Sequence, residues 1–383
     1  MKFIDLFCGI GGFHQALSEL GHKCVFASDI DENCRVVYEN NYGLKPNGDI
    51  TKVNEKDIPE HDILCAGFPC QPFSNAGNKK GFTETRGTLF FDIERILKHH
   101  KTKYILLENV KHLIKHDEGN TWRTIRESLL KLGYILTEEP TLLSPNHIGI
   151  PQNRERVFIL GVHKSQLKKG IKELHFDLPI KGTYPKTSIF SILEKNNTDK
   201  ELLISDYEKT ALKAWNEFKT SIPDKLSGFP VWVDEFGQNY NYDNLPDWKQ
   251  KYIIKNRKLY NNNKKFIDKW IKKYKVNEYK IREKKFEWQA GLNYKSIYEV
   301  IVQFRQSGIR CKKPDFFPAL VAMVQIPVIP KLNRKLSVKE VAKIQSFKNF
   351  KPDPKPSKAY KQFGNSVNVA VVKYLAEQLF SKY

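Results

Sequence analysis

The sequence predicts an α/β protein whose first domain is interrupted by a second, inserted one. Three observations carry this. The chain opens with strand, Gly-rich turn, helix, strand and acid, in that order. Several later apolar runs of strand length also end in a functional side chain. From about Ile171 the α/β rhythm gives way to polar, Lys- and Asn-rich sequence with scattered Pro and Trp, which reads as an irregular inserted domain. A chain of 383 residues has room for about two domains and a proper core.

Residues 3–7 (Phe-Ile-Asp-Leu-Phe) read as a buried strand and Cys8-Gly9-Ile10-Gly11-Gly12 as the turn after it. Residues 13–20 have apolar positions at helical spacing, closed by Gly21 as a C-cap. Residues 24–29 form a second strand ending in Asp29. This is the βαβ plan of a nucleoside site: the glycines admit backbone N–H groups to a ligand, and Asp29 is placed to accept from ribose hydroxyls. The Gly-x-Gly-Gly spacing lacks the third glycine of the dinucleotide fingerprint, so an adenosyl ligand without pyrophosphate fits better. A purely structural turn has the same composition. Asp49, in Gly48-Asp49-Ile50, is either a turn or N-cap residue or a second acid in reach of an adenine amino group.

The strand Asp62-Ile63-Leu64-Cys65-Ala66 runs into Gly67-Phe68-Pro69-Cys70-Gln71-Pro72-Phe73-Ser74. A strand feeding a tight loop presents a side chain at the carboxyl edge of a sheet, and the two prolines restrict that loop. Cys70 is therefore a candidate nucleophile, or a small buried hydrophobe. Residues 77–87 have the composition of an active-site lid, and residues 88–98 are amphipathic and helical. The strand of residues 104–110 carries Glu108 to the same sheet edge as Cys70 and Asp29. Residues 122–132 form a helix stopped by Gly133. Arg154 and Arg156 precede the strand 157–160 at alternating positions, pointing to one face as a salt-bridge ladder or as a clamp on an anionic or carbonyl-bearing ligand. Near the end, Ser337 and Glu340 have capping-box spacing, residues 352–356 form a stiff connector, and Phe363-Gly364-Asn365-Ser366-Val367 opens a final amphipathic helix that returns to the first domain.

The balance of 64 Lys+Arg against 43 Asp+Glu gives a net charge of +21. It is concentrated: residues 251–285 hold 14 basic and 3 acidic side chains, with Tyr252, Tyr260, Phe266, Trp270, Tyr274 and Tyr279 interleaved. Such a segment suits a polyanion, nucleic acid being the common one; the alternative is a solvated helix face. No apolar run is long enough for a membrane, and no signal peptide precedes the first strand. The six cysteines lack metal-type pairing, so no metal is expected, and reduced thiols in an intracellular protein are.

These pieces, in this order, resemble the DNA cytosine-5 methyltransferases, specifically the small bacterial modification enzymes. The likeness rests on DLFCGIGGF, GFPCQPFS, ENV at residues 108–110, QNRER at 152–156, RKLSVKE and QFGNSVNV. It implies a doubly wound, Rossmann-like methyltransferase domain binding S-adenosylmethionine (residues 1–172 and 355–383), with an inserted target-recognition domain (173–354) and double-stranded DNA in the cleft. By resemblance Cys70 is the nucleophile that adds to cytosine C6, Glu108 holds the N3 and N4 edge, Arg154 holds the cytosine carbonyl oxygen, and Arg156 the loop around Cys70 or the flanking backbone. The cofactor residues implied are Phe7, Gly9, Gly11, Gly12, Asp29, Ile30, Asp49, Ile50, Pro69, Leu89, Asn365 and Ser366. Ile30 stands where an aromatic often follows the ribose-binding acid, Cys8 where Ala or Ser is usual, and Ser346-Phe347-Lys348 where Gly-Phe-Pro is common. Gln71, Ser74 and Arg86 are expected near the DNA. In the inserted domain, Trp288-Gln289-Ala290, residues 303–310 and residues 317–322 resemble AluI-type enzymes, which modify AGCT; Arg305 and Arg310 are the candidates for guanine contact. A cognate restriction endonuclease, a monomer, and a bacterial or phage-encoded cytoplasmic protein complete the expectation. Two alternatives remain, a methyltransferase of the RNA-modifying branch and a DNA-binding regulator without catalysis; the long basic domain and the FPCQPFS form favour DNA over the first, and the presence of Cys70, Glu108, Arg154 and Arg156 argues against the second.

Overall fold

The computed structural model describes residues 1–69, 89–168, 170–223, 226–320 and 325–383. The chain divides into two compact units, residues 1–187 with 341–383, and residues 188–340. The first unit contains, in order, β1 (Lys2–Leu6), α1 (Gly12–Ser18), β2 (Lys23–Ser28), α2 (Glu32–Tyr42), β3 (Ile63–Gly67), α3 (Phe90–His100), β4 (Tyr104–Val110), α4 (Asn120–Lys131), β5 (Tyr134–Leu136), β6 (Thr141–Leu143), β7 (Gln152–Asn153) and β8 (Arg156–His163). Its sheet runs β2-β1-β3-β4-β8-β5, with β6 also paired to β8. The first four strands are parallel; β8 is antiparallel to β4, and β5 and β6 are antiparallel to β8.

Both faces of the parallel strands are covered, which is why β1 and β3 read as nearly unbroken apolar runs. Helix α3 buries Phe90, Ile93, Ile96 and Leu97, the stripe its 3.6-residue period places on one side. Each such side chain contributes about 1.5–3 kcal/mol on full burial. Gly21 and Gly133, at φ +80° and +92°, follow α1 and α4 in the left-handed conformation. From β1 the chain crosses to β2 on one side and returns to β3 on the other. Strand order therefore reverses at β1, and an open α/β sheet has its crevice outside the carboxyl ends at that point.

The second unit is more regular than its sequence predicts. It holds α5 (Asp206–Ser221), β9 (Val231–Trp232), α6 (Asp247–Asn262), α7 (Lys264–Tyr274), β10 (Lys285–Gln289), β11 (Ile301–Arg305), β12 (Gly308–Lys312), β13 (Phe317–Pro318), β14 (Val328–Ile329) and β15 (Arg334–Lys335). A mixed sheet runs β15-β14-β11-β12-β10-β9. Three of the Trp residues that look scattered, Trp215, Trp270 and Trp288, lie in its core: Trp215 stacks on Phe286 with centroids 4.7 Å apart, and the Trp215 and Trp270 indole N–H groups donate to the Glu283 and Ala214 carbonyls. Lys-rich surface positions hide a periodicity carried by few, large apolar side chains.

The chain re-enters the first unit through α8 (Val338–Ile344), whose start is the expected capping box: Ser337 N–H donates to Glu340 Oε2 at 2.8 Å and Glu340 N–H to Ser337 Oγ at 3.1 Å. The unit boundaries lie at 187/188 and 340/341, not at 172/173 and 354/355. Leu174, His175 and Asp177 donate backbone N–H groups to Leu136, Tyr383 and Gln378, which ties that segment to the first unit. Gln15 and Asn41 likewise donate to the carbonyls of Lys348 and Lys351. The expected single final helix is two, α9 (Pro356–Asn365) and α10 (Val369–Lys382). Phe363, Gly364 and Asn365 end α9, and the Asn368 side chain caps α10 through the Ala370 and Val371 N–H groups. Among the described residues no helix is long and apolar enough to cross a membrane.

Gly161 of β8 faces Ile105 of β4. A Cβ there would lie 2.7 Å from Ile105 Cγ1 and from Leu136 Cδ2. Gly161→Ala is expected to destabilise the first unit by about 1–3 kcal/mol through overpacking, read as a lower urea midpoint with an unchanged slope.

Candidate active site

The parallel register sends the ends of β1, β2, β3 and β4 to one edge. After β1, Phe7 and Gly9 both take positive φ, +54° and +53°. This turn aims the Gly9 N–H at Asp29 Oδ2, 2.7 Å away, while Asp31 N–H donates to Oδ1 at 2.8 Å. Burial pushes the Asp29 carboxyl up and the two N–H donors hold it down; the net direction is up. A bridge between Ser28 and Asn47 brings Asp49 alongside. Asp49 Oδ1 accepts from the Thr51 N–H and hydroxyl, so Asp49 is the turn cap and lines the cleft as well.

Gly67, the last residue of β3, pairs with Glu108 near the end of β4. Glu108 is buried, and Arg156 Nε lies 3.1 Å from its Oε1. Arg156 stands opposite Val110 in the β4–β8 register, which explains the contact. Arg154, 4% exposed, donates from its guanidinium to the Ser366 carbonyl at 2.9 Å, and its backbone N–H donates to Ser144 Oγ at 2.8 Å. Burial raises Glu108 above the ordinary carboxylate range, against the pull of Arg156 and Arg154. Burial and the neighbouring Arg156 draw Arg154 down to about 9, so it keeps its charge at neutral pH. The two arginines and Glu108 line one cleft, with Arg156 in an ion pair to Glu108.

That cleft has a volume of about 500 Å³. Its walls include Phe7, Gly9, Gly12, Asp29, Ile30, Asp49, Ile50, Pro69, Leu89, Asn365 and Ser366, all expected from the sequence. Gly11 is the exception. A Cβ on Gly11 would fall 2.2 Å from Tyr42 Cε2, so its glycine serves packing of the turn against α2. Gly12 is needed for space too: a Cβ there would meet Val367 Cγ2 at 2.5 Å and Ser366 Oγ at 2.9 Å. Cys70, Gln71, Ser74, Arg86 and the 77–87 segment lie outside the described residues. Arg305 and Arg310 belong to the second unit, on β11 and β12.

Sequence reasoning assigned no role to two residues that matter here. Asn109 is buried, and its amide donates to the Phe68 carbonyl at 2.9 Å, tying the end of β4 to the loop after β3. Ser144 holds the Arg154 backbone. A polar residue closing an apolar strand was the only signal for the first; the second has none in sequence.

The cleft fits an adenosyl ligand on its own features. It has the volume of a nucleoside site, the half-buried Asp29 carboxylate behind the glycine turn, and at its rim Ile30, an apolar side chain left 77% exposed. The described residues hold no group of His, Cys, Asp or Glu able to bind a metal, and the five described cysteines are free.

Comparison with known proteins agrees. The family model for C-5 cytosine-specific DNA methylase matches residues 1–381. The type II methyltransferase M.AluI of Cellulosimicrobium cellulans is 30% identical over 98% of this chain and 91% of its own length. M.HhaI of Haemophilus parahaemolyticus is 32% identical over 100% and 94%. Among solved structures, a mutant of Spodoptera frugiperda DNMT2 aligns with a TM-score of 0.57 at 21% identity, over 99% of both chains. A putative DNA modification methyltransferase of an E. coli prophage aligns with a TM-score of 0.57 at 18% identity, over 100% of this chain and 99% of that one. Those two likenesses bear on the fold, which is the α/β methyltransferase fold. The chain belongs to the C-5 cytosine-specific DNA methylases, enzymes that methylate cytosine in DNA at the expense of S-adenosylmethionine.

Proposed function

We propose that the protein methylates C5 of a flipped-out cytosine in a short duplex site, AGCT, through a covalent Cys70–C6 adduct, as the modification arm of a restriction–modification system. The observation that carries the mechanism is Glu108, a buried carboxyl at a strand end, paired with Arg156 and beside Arg154. S-adenosylmethionine supplies an electrophilic methyl group, and Phe7, Gly9, Asp29, Ile30, Asp49, Leu89 and Asn365 are the residues to hold it. A base inside a duplex is out of reach, so the cytosine must swing into the cleft. The Cys70 thiolate then bonds to C6, and the C5–C6 π electrons make C5 nucleophilic. Glu108 delivers a proton to N3, which removes the negative charge that addition creates; a carboxyl raised by burial suits that task. Arg154 meets the cytosine carbonyl oxygen. After methylation N3 returns its proton to Glu108, the C5 proton leaves to a base, and the C5–H electrons expel the Cys70 thiolate from C6, restoring the ring.

In this reading the second unit grips DNA. On α7, Lys265, Lys269 and Lys272 are exposed along one stripe and have no ion pair among the described residues, whereas Lys264 and Lys273 are paired with Asp268 and Glu217. The AGCT site rests on the AluI-type likeness of residues 288–290, 303–310 and 317–322. An enzyme that marks its host's sites implies a cognate endonuclease; the protein is proposed to act as a monomer in a bacterial cytoplasm.

A duplex bearing 5-fluorocytosine in AGCT tests the mechanism, because fluorine cannot leave C5 as a proton does. With S-adenosylmethionine present, a covalent protein–DNA band is expected that Cys70→Ala abolishes. A band on other sequences only discards the site, and none on any duplex discards the adduct. The proton-donor role of Glu108 sets a sign for pH. Activity falls as pH rises through its raised pKa, so the single-turnover rate has an alkaline limb above the ordinary Glu range. Glu108→Gln should cost roughly 10²–10⁴-fold in that rate. Arg156→Gln removes a charge that favours the carboxylate, so the limb should move to higher pH; a limb that stays put or moves down cannot belong to Glu108. Finally, changing Lys265, Lys269 and Lys272 to Gln should flatten the plot of log affinity for DNA against log salt by about 0.9 per lost phosphate contact. An unchanged slope would place those lysines off the DNA.

A further inference from the structure

In the sheet of the second unit, alternate residues of β10, β11 and β12 face opposite ways. Phe286, Trp288, Val302, Ile309 and Cys311 enter the core. The other face therefore carries Glu287 and Gln289 of β10, Arg310 and Lys312 of β12, and Gln303 and Arg305 of β11. The registers align them: Glu287 opposite Arg310, Gln289 opposite Lys312, and Gln303 opposite Arg310 from the other side. Gly308 makes the close approach possible, because at φ +129° any Cβ there would lie 2.7 Å from Lys285 Cβ.

Within this face Glu287 holds Arg310. Its Oε2 accepts from Arg310 Nε at 2.6 Å, and its Oε1 accepts from the Gln289 amide. The Arg310 terminal nitrogens make no hydrogen bond among the described residues, and the side chain keeps 23% of its exposure. Burial, and then the nearby Arg310, depress both Arg305 and Lys312. Three cations thus share one carboxylate on adjacent strand positions, an arrangement that like-charge repulsion disfavours in the absence of an acceptor-rich ligand.

A guanidinium with Nε engaged still offers its two terminal nitrogens as a fork, and guanine O6 and N7 are the pair of acceptors such a fork matches in the major groove. A carboxylate that fixes the stem reduces the entropy lost when the fork docks. We infer that Arg310 reads a guanine of the target site and that Glu287 is the positioning residue that presents its fork. This rests on the reading of the second unit as the DNA-recognition domain, and it adds a residue that base contact alone would not single out.

The test reads the recognition motif without assuming it. The full chain is expressed in a bacterial host lacking cytosine-5 methylation, and methylated positions are mapped by bisulfite sequencing. Wild type should give one short motif with a guanine at a fixed offset from the target. Arg310→Ala should relax that position, lowering discrimination roughly ten- to a hundredfold. Glu287→Gln should relax the same position, by about three- to tenfold, which a purely structural ion pair would not do. Where Arg310→Ala melts below the growth temperature, Arg310→Gln keeps the stem and should shift preference toward adenine. An unchanged motif in active variants overturns the inference, and relaxation by Glu287→Gln at a different position overturns its positioning role. A wild-type chain that marks no DNA would overturn the functional reading and this inference together.

Discussion

The cleft depends on keeping one carboxyl buried beside two guanidinium groups. A charge taken out of water costs several kcal/mol unless it is paired and hydrogen-bonded, so each member of the cluster must be held. Glu108 is paired with Arg156, whose Nη1 also donates to the Glu155 carbonyl. Arg154 is fixed at its backbone by Ser144 and at its tip by the Ser366 carbonyl. These partners come from β4, from the segment leading into β8, and from the turn between α9 and α10, so the charge cluster joins parts of the chain more than 200 residues apart. Two cations with one acid leave an excess of positive charge.

Topology decides which side chains can meet there. Reversal of strand order at β1 opens the crevice that the glycine turn and Asp29 line, and parallel pairing of β3 with β4 sets Gly67 beside Glu108. A Cβ at Gly67 would sit 3.6 Å from Glu108 Oε2, ordinary contact distance, so Gly67 is not required by space there. The antiparallel strand β8 completes the site. It runs back along β4, and its first residue therefore lies at the carboxyl edge, which is how Arg156 reaches Glu108.

Much of this was visible in the sequence because local rules report it. Apolar runs marked β1 to β4, glycines marked the ends of α1 and α4, and Ser337 with Glu340 marked the start of α8. What long-range pairing determines was not visible. The split of the last helix depends on Asn368 capping α10, and an Asn within an amphipathic run carries no such message by itself. Unit boundaries depended on backbone groups of Leu174, His175 and Asp177 finding partners elsewhere. A glycine such as Gly11 is ambiguous in sequence, because close approach to a ligand and close approach to Tyr42 ask for the same residue.

Each unit contains an acid–arginine pair, and the two differ in which member is left with work to do. At Glu108 the carboxyl is buried with a cation on it, and burial still prevails, so the acid can carry a proton while the arginine tunes when it does. At Glu287 the carboxylate spends both oxygens on Arg310 and Gln289, while the guanidinium keeps its outer fork. The pairing geometry is similar, with an Nε–carboxylate contact of 3.1 Å in one and 2.6 Å in the other. Burial makes the difference: Glu108 is 9% exposed and burial raises its carboxyl, whereas the Glu287 and Arg310 side chains stay 28% and 23% exposed. The same two residue types thus pair in two environments, one that excludes water and one that admits some.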